Sequence, residues 1–325
     1  MRKTRLLDII GISTFTAIMV SIPWERLEGF PFVDRQVYLN HFLHGESIFK
    51  YLHFELDLPG FISYFFNEAL WEYLVRTLVQ TMGVPIDIVF LAISLLCLIT
   101  FSFFLTQRHN VWSIPLLCNP LLVTFAFDQL RLALAYSLML IGYMVRRPLI
   151  SAIFIVFAMF IHTSIIIFVC AYFVIRKLSD VVNRNGSRKF ATYAIPCIMG
   201  GLVSIAIGPL RSPILGSFGD RRASLVGPLN NSLLYTSFWV GLLGLFALQP
   251  KSFLRDEVNA YSAFILAVVS ANLLTGGYTL RLLSIGFPMI ISSMLSLSFS
   301  TRFWAVLFFL IYATFQWLYF CGLMV

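Results

Sequence analysis

Charge is scarce in this chain: only 12% of its 325 residues are Asp, Glu, Lys or Arg, against 59% hydrophobic, and the mean hydropathy is +0.87. That balance excludes a soluble globule. Apolar runs long enough to span a bilayer recur from end to end, the mark of a polytopic α-helical membrane protein. Short segments of alternating polarity are missing, which excludes a β-barrel. Cysteine is sparse as well. Cys97, Cys118, Cys170, Cys197 and Cys321 each fall in an apolar run without disulfide or metal-ligand spacing, and are expected as small core residues. There is no P-loop, HExxH, GxSxG or glycine-rich dinucleotide fingerprint, so neither nucleotide nor metal chemistry is indicated and no cofactor is implied. Glu55-Leu-Asp57 is too short a match to count as a metal or sugar-nucleotide motif. Repeats, low-complexity tracts and linkers are also lacking, so residues 1–325 read as one integral membrane domain. A small-residue cleavage site does not follow MRKTR and Leu6–Trp24, which therefore read as a retained first helix.

What charge there is falls in informative places. The stretch Phe125–Ser164 places Asp128 and Arg131 at one end of an apolar helix, Arg146 and Arg147 at the other, and His162 inside the next apolar run. Arg131 and Arg146 are fifteen residues apart, about 22 Å along a helix, so the two charge clusters belong to opposite faces of a bilayer. Arg2, Lys3 and Arg5 put the N-terminus in the cytoplasm. Residues 25–57 then form an external loop, and spans ending near Arg108, Asp128 and Arg146 follow. On this topology the cytoplasmic face carries a net charge of +10 and the external face −2, which together make the chain's +8. That asymmetry suits an inner or plasma membrane protein, and the net positive charge needs no nucleic-acid partner.

Two segments resist simple alternation. In residues 59–82, Glu68, Glu72, Arg76 and Gln80 recur every four positions and make one polar stripe on an apolar helix. Glu72 and Arg76 have the favourable acid-first order. Charge bias favours an interfacial amphipathic helix here over a crossing. Residues 148–175 are apolar throughout and run into the basic RKLSDVVNRNGSRK. A single crossing would place that basic tract outside, whereas two limbs broken near His162 return it to the cytoplasm. Irregular backbone at that depth requires protein or a watery cavity around it, which makes the break a place for a working site.

Outside the cytoplasm, Lys50 is the exception among basic residues that are otherwise all Arg: Arg26, Arg35, Arg76, Arg131, Arg211, Arg221, Arg222 and Arg281. Taken singly, each could snorkel to headgroups or pair with an acid, and Asp128 and Arg131 could neutralise each other. As a set, these rigid forks suit an anionic ligand such as phosphate. His162 could be a hydrogen-bonded core residue, but imidazole also suits proton transfer near neutral pH.

The segments Asp34-Arg-Gln-Val-Tyr38, Asn67-Glu68, Asp128-Gln-Leu-Arg131-Leu-Ala133 and His162-Thr-Ser164 resemble, in this order, the EpsG/Wzy-type polysaccharide polymerases of bacterial membranes. The resemblance covers roughly residues 30–175, with Arg281 a looser match; the family's Ile-Arg-Gln-x-x-Ala is represented by Leu130-Arg131-Leu132, without the Gln. It implies a GT-C-like fold of about 10–12 membrane helices, with an external amphipathic helix and a broken helix near His162. The implied activity is glycosyl transfer at the external face from one polyprenyl-diphosphate-linked glycan to a hydroxyl of another, with membrane lipids and a chain-length regulator protein as further partners. Under this reading His162, Asp34 and Arg131 are catalytic, with His162 favoured as the base or acceptor-sugar positioner and Asp34 as a sugar-binding carboxylate. Arg281, Arg35, Arg211, Arg221, Arg222, Asp128, Tyr38 and Glu68 bind diphosphate or glycan, and no metal is required. Two other classes compete: a membrane O-acyltransferase, which would need an acyl donor, and a lipid-linked oligosaccharide flippase, which would need charge along a continuous cavity.

The topology is open to direct test. Single cysteines at Ser187 and Arg108 are expected to resist membrane-impermeant thiol reagents in intact cells, and cysteines at Gly45 and Asp220 to react. Labelling at Ser187 would mean that residues 148–175 cross once.

Overall fold

A computed structural model describes residues 5–27, 32–44, 68–184, 189–213, 233–276 and 279–323. All regular elements among the described residues are helical. They fall into two compact units, Met1–Ile166 with Trp317–Val325, and Ile167–Gln316.

The first unit opens with α1 (Leu6–Ser21), then α2 (Val33–His44) and α3 (Ala69–Arg76), which runs on into a π-helical turn at Thr77–Thr81. Helix α4 (Ile86–Arg108) follows, then a 3₁₀ stretch (Val111–Leu117), α5 (Pro120–Phe127), α6 (Leu130–Met144) and α7 (Pro148–Ile161). α8 (Ile165–Arg184) begins where this unit ends. The 23 residues of α4 measure about 34 Å, enough to cross a bilayer. Buried Phe101 and Phe125 stack, and Tyr136 packs edge-on against both, joining α4, α5 and α6. α6 and α7 form a tight hairpin, in which Ser151 Oγ donates to the Gly142 carbonyl at 2.7 Å and a Cβ at Gly142 would lie 3.0 Å from the Ser151 oxygen.

The span expected to end at Asp128 is not one helix. Asn119 caps α5 by accepting from the Leu121 N–H, and Pro120 follows at the first helical position, so α5 is only eight residues long. It meets α6 at a bend of 100° across Asp128–Gln129. Such a bend strands carbonyls at the end of α5. Ser94 on α4 donates to one of them, Ala126 O, at 2.7 Å.

The second unit contains the rest of α8, α9 (Lys189–Ile207), α10 (Leu233–Leu248), a 3₁₀ turn (Lys251–Arg255), α11 (Glu257–Thr275), α12 (Thr279–Leu295) and most of α13 (Phe299–Phe320). α11 is its central helix, buried along nearly its whole length and capped by Asp256, which accepts from Val258 and Asn259 N–H. α9 crosses it at Gly200, where an added Cβ would stand 2.6 Å from the Ala267 Cβ and 2.9 Å from the Val268 nitrogen. Ser204 and Asn272 bond at 2.6 Å across the same pair of helices. Trp239, Phe287, Phe309 and Tyr312 join α10, α12 and α13 through edge-on ring contacts, with the Trp239 indole donating to the Tyr312 hydroxyl at 2.9 Å.

Set against the ten to twelve membrane helices expected, four helices among the described residues are long and apolar enough to cross, or five if α5 and α6 count as one bent span. Four further apolar helices are shorter, among them α7. The chain is a multi-pass membrane protein whose apolar runs are partly divided by breaks. The cysteines also differ from expectation: Cys97 is buried, while Cys118, Cys170, Cys197 and Cys321 lie on the exposed surface, all as free thiols. An apolar run in a membrane protein has a lipid-facing side, and small thiols fit there as well as in the core.

Two neighbouring glycines give a controlled test of the α9–α11 crossing. Gly200→Ala is expected to destabilise the detergent-solubilised protein by about 1–3 kcal/mol through forced backbone separation. Gly201→Ala, whose added Cβ meets nothing within 4 Å, should leave the melting temperature unchanged or raised.

Candidate active site

The first unit gathers its charges around one carboxylate. Glu68, 2% exposed, stands at the N-cap of α3 with left-handed backbone angles of φ 55° and ψ 42°. Its Oε2 lies 2.5 Å from an Arg131 Nη at the start of α6. Its Oε1 lies 3.1 Å from His162 Nδ1 and accepts from the Thr163 N–H at 3.2 Å and the Thr163 hydroxyl at 3.3 Å. Burying a carboxylate without partners is costly, and these partners supply a guanidinium, two donors from Thr163 and an imidazole nitrogen.

The break after α7 is what exposes those groups. His162 is the C-cap of α7 in extended conformation (φ −147°, ψ 112°), and helix resumes only at Ile165. Within a continuous helix the Thr163 N–H would point to a carbonyl four residues back; here it points to Glu68. The sequence-based expectation of a break near His162 is thus met in the backbone, and the residue that satisfies the break comes from α3.

α2 closes one side of this cluster. Its Tyr38 ring lies 5.7 Å beneath the Arg131 guanidinium and packs edge-on against Trp71 of α3. Asp128, at the bend between α5 and α6, accepts from the Arg35 backbone N–H at 3.0 Å and so caps the first turn of α2. The Arg35 side chain reaches Asp87 at 3.3 Å and Glu25 at 3.7 Å. Among the described residues the left-handed non-glycine positions are Phe32 and Glu68, one immediately before α2 and one immediately before α3. Such conformations cost about 1–2 kcal/mol per residue and persist where surrounding contacts hold them.

One turn along α3 a second buried carboxylate repeats the pattern. Glu72, 1% exposed, bonds His41 Nε2 of α2 at 2.8 Å and pairs with Arg76 Nε. Burial pushes the Glu72 carboxyl up, but the bonds from His41 and Arg76 outweigh it and hold the group below the usual carboxylate range. The polar stripe of α3 therefore turns inward at Glu68 and Glu72, while Gln80, in the π turn, is exposed. α3 and its π turn cover only residues 69–81, too few to cross a membrane; the start of the expected 59–82 helix lies outside the described residues.

Of the residues singled out from sequence, Glu68, Arg131, His162 and Tyr38 come together here, with Asp128 and Arg35 adjoining through α2. Asp34 is half-buried in the first turn of α2, beside Arg35. Arg211 and Arg281 belong to the second unit, half-buried and exposed respectively, and Arg221 and Arg222 lie outside the described residues. Trp71 and Asp87 are partners that the sequence reading did not single out. An acid in the first turn of α4 was a usable signal for Asp87; Trp71 looks in sequence like any apolar helix residue. The cluster sits at one end of α4 and α6, with Arg108 and the Arg146–Arg147 pair at their other ends.

The fold and this site define a multi-pass helical membrane protein with a carboxylate–imidazole–guanidinium cluster, its carboxylate buried, at a helix break. The EpsG family model matches residues 26–207, more than half of the chain and the whole of the cluster. The chain belongs to the EpsG family, and is a membrane protein of the polysaccharide polymerase type. No curated protein and no solved structure gives a significant match.

Glu72 makes a pH-dependent contribution with a definite sign. A carboxyl held below its ordinary range stabilises the fold above that range and loses the contribution as pH falls through its lowered value. Glu72→Gln should cost about 1–3 kcal/mol at neutral pH by leaving buried donors unmatched. Melting temperatures of wild type and variant should converge as the pH is taken below 4.5, the ordinary value for this group.

Proposed function

We propose that this protein polymerises polyprenyl-diphosphate-linked oligosaccharide repeat units by glycosyl transfer at the external face of the bacterial inner membrane, with its N-terminus in the cytoplasm. The observation that carries the reading is that one buried carboxylate holds both an imidazole and a guanidinium, His162 and Arg131, at a helix break. Glycosyl transfer from a diphosphate needs both. The acceptor hydroxyl loses its proton to His162 as its oxygen bonds to the anomeric carbon of the donor. The bond from that carbon to the diphosphate oxygen breaks, and its electron pair leaves with the polyprenyl diphosphate. Charge growing on the leaving group is met by Arg131, whose fork suits phosphate oxygens. The side chains of Arg131 and His162 keep 21% and 15% of their surface exposed, while Glu68 is sealed behind them.

Asp34 and Tyr38 on α2 are read as sugar-binding groups, and Arg35 and Asp128 as the pair that sets the start of that helix. Arg211, Arg221, Arg222 and Arg281 are read as further diphosphate- or glycan-binding residues. The placement of the cluster opposite Arg108, Arg146 and Arg147 along α4 and α6 supports an external site, since the positive-inside rule assigns those arginines to the cytoplasm. The chemistry as read requires neither metal nor nucleotide. A chain-length regulator protein is a fitting partner for a polymerase of this kind.

Purified protein in lipid is expected to lengthen a polyprenyl-diphosphate-linked oligosaccharide with chelator present and no nucleotide sugar or acyl donor added. Arg131→Lys keeps the charge and loses the fork, so turnover should fall about 10²-fold at normal membrane abundance. Extension that depends on an acyl donor or nucleotide sugar would sink the reading, and full activity of the Lys variant would show that a point charge suffices.

A further inference from the structure

The His162 ring poses a choice that the glycosyl-transfer reading leaves open. Its Nδ1 faces Glu68 Oε1 at 3.1 Å, the Ser164 hydroxyl at 3.0 Å and the Ser164 N–H at 3.3 Å. A carboxylate only accepts and an amide N–H only donates, so Nδ1 cannot serve both at once. With a proton on Nδ1, the ring donates to Glu68 and the serine hydroxyl can rotate to accommodate it. Without one, the ring accepts from Ser164 and turns a lone pair on a carboxylate oxygen at 3.1 Å. Glu68 is 2% exposed, so bulk solvent does not screen that clash, and a charge-assisted bond is roughly twice as strong as a neutral one. The Ser164 N–H is also the most distant of the three neighbours. Charged groups facing the ring include Glu68, from the start of α3, and through it Arg131, from α6.

We infer that Glu68 is a positioning residue: it fixes His162 as the Nδ1–H tautomer, which makes Nε2 the basic atom, and tethers Arg131 to the same carboxylate so that base and anion-binding fork are set as one unit. Glu68 then does not itself contact glycan. Its activity consequences rest on the polymerase reading, but the tautomer does not. A purely structural role, in which Glu68 only caps the break through Thr163, would leave the tautomer indifferent to its charge.

The test uses the full-length protein in membranes with ¹⁵N-labelled histidine, observed by solid-state NMR at neutral pH, with the His162 signals assigned by their loss in His162→Gln. Wild type should show a protonated Nδ1 and an unprotonated Nε2. In Glu68→Gln the proton should move to Nε2, since the negative charge that holds it on Nδ1 is gone and the Ser164 N–H can then donate to Nδ1. Thr163→Val, which keeps the carboxylate and loses one cap, should keep the wild-type tautomer. In Glu68→Gln the acid limb of kcat/KM should move about one to three pH units lower, the scale of a lost opposite charge. A protonated Nε2 in wild type overturns the inference, as does an unchanged tautomer in Glu68→Gln or an equal change in Thr163→Val. If Glu68→Gln does not accumulate, the wild-type tautomer decides alone. Expected spectra from a protein that extends no lipid-linked glycan would keep the Glu68 assignment and remove the polymerase reading.

Discussion

A carboxylate cannot be left alone in a low-dielectric interior, and the first unit is arranged around meeting that requirement for Glu68. Its two oxygens draw together the start of α3, the start of α6 and the break after α7, three places separated by long stretches of chain. Each partner solves a problem of its own in doing so. Arg131 gains a counter-ion, Thr163 gains an acceptor for the N–H that the break strands, and His162 gains a fixed orientation. Removing one member leaves a buried charge or donor unmatched, which costs far more than the pair contributes when complete.

The same economy explains why this chain tolerates breaks that most membrane-spanning helices avoid. Backbone groups freed inside the bilayer region must find partners within the protein. At Asp128–Gln129 the freed Ala126 carbonyl is met by Ser94, and the carboxylate of Asp128 caps α2. At His162–Ser164 the freed N–H is met by Glu68. The breaks bring polar groups to one end of α4 and α6, which is how a strongly apolar chain assembles a polar site at all. The recurrence of an acid, a histidine and an arginine at Glu72, His41 and Arg76, one turn further along α3, ties α2 into the same assembly.

Much of this was legible from residue types and spacing. Apolar run length dictated helices and a membrane, because a helix satisfies its own backbone there and the alternation a barrel strand needs is missing. The fifteen-residue separation of Arg131 and Arg146 matched the length of α6, and the conflict between an apolar tract and the basic run after it pointed to a break at His162. The four-residue spacing of Glu72 and Arg76 put them on one helix face, where they pair. All of these follow from local geometry or from charge near a bilayer, which act on neighbours in sequence.

Which face that stripe turned to, and what it met there, depended on contacts between residues far apart in the chain. Sequence alone offered Asp128 and Arg131 only each other as partners; the fold adds that Asp128 caps α2 and that Arg131 pairs with Glu68. It read residues up to Asp128 as a span, whereas Asn119 and Pro120 start a helix of eight residues that ends in a 100° bend. It also placed all five cysteines in the core, although lipid-facing and core-facing sides of an apolar helix look alike in composition and only packing separates them. Periodicity put Glu68 within the polar stripe of a helix, whereas the fold sets it just before the helix, at a left-handed N-cap. Only tertiary packing, by burying it against a guanidinium and a helix break, decided that it would be the group on which His162 and Arg131 depend.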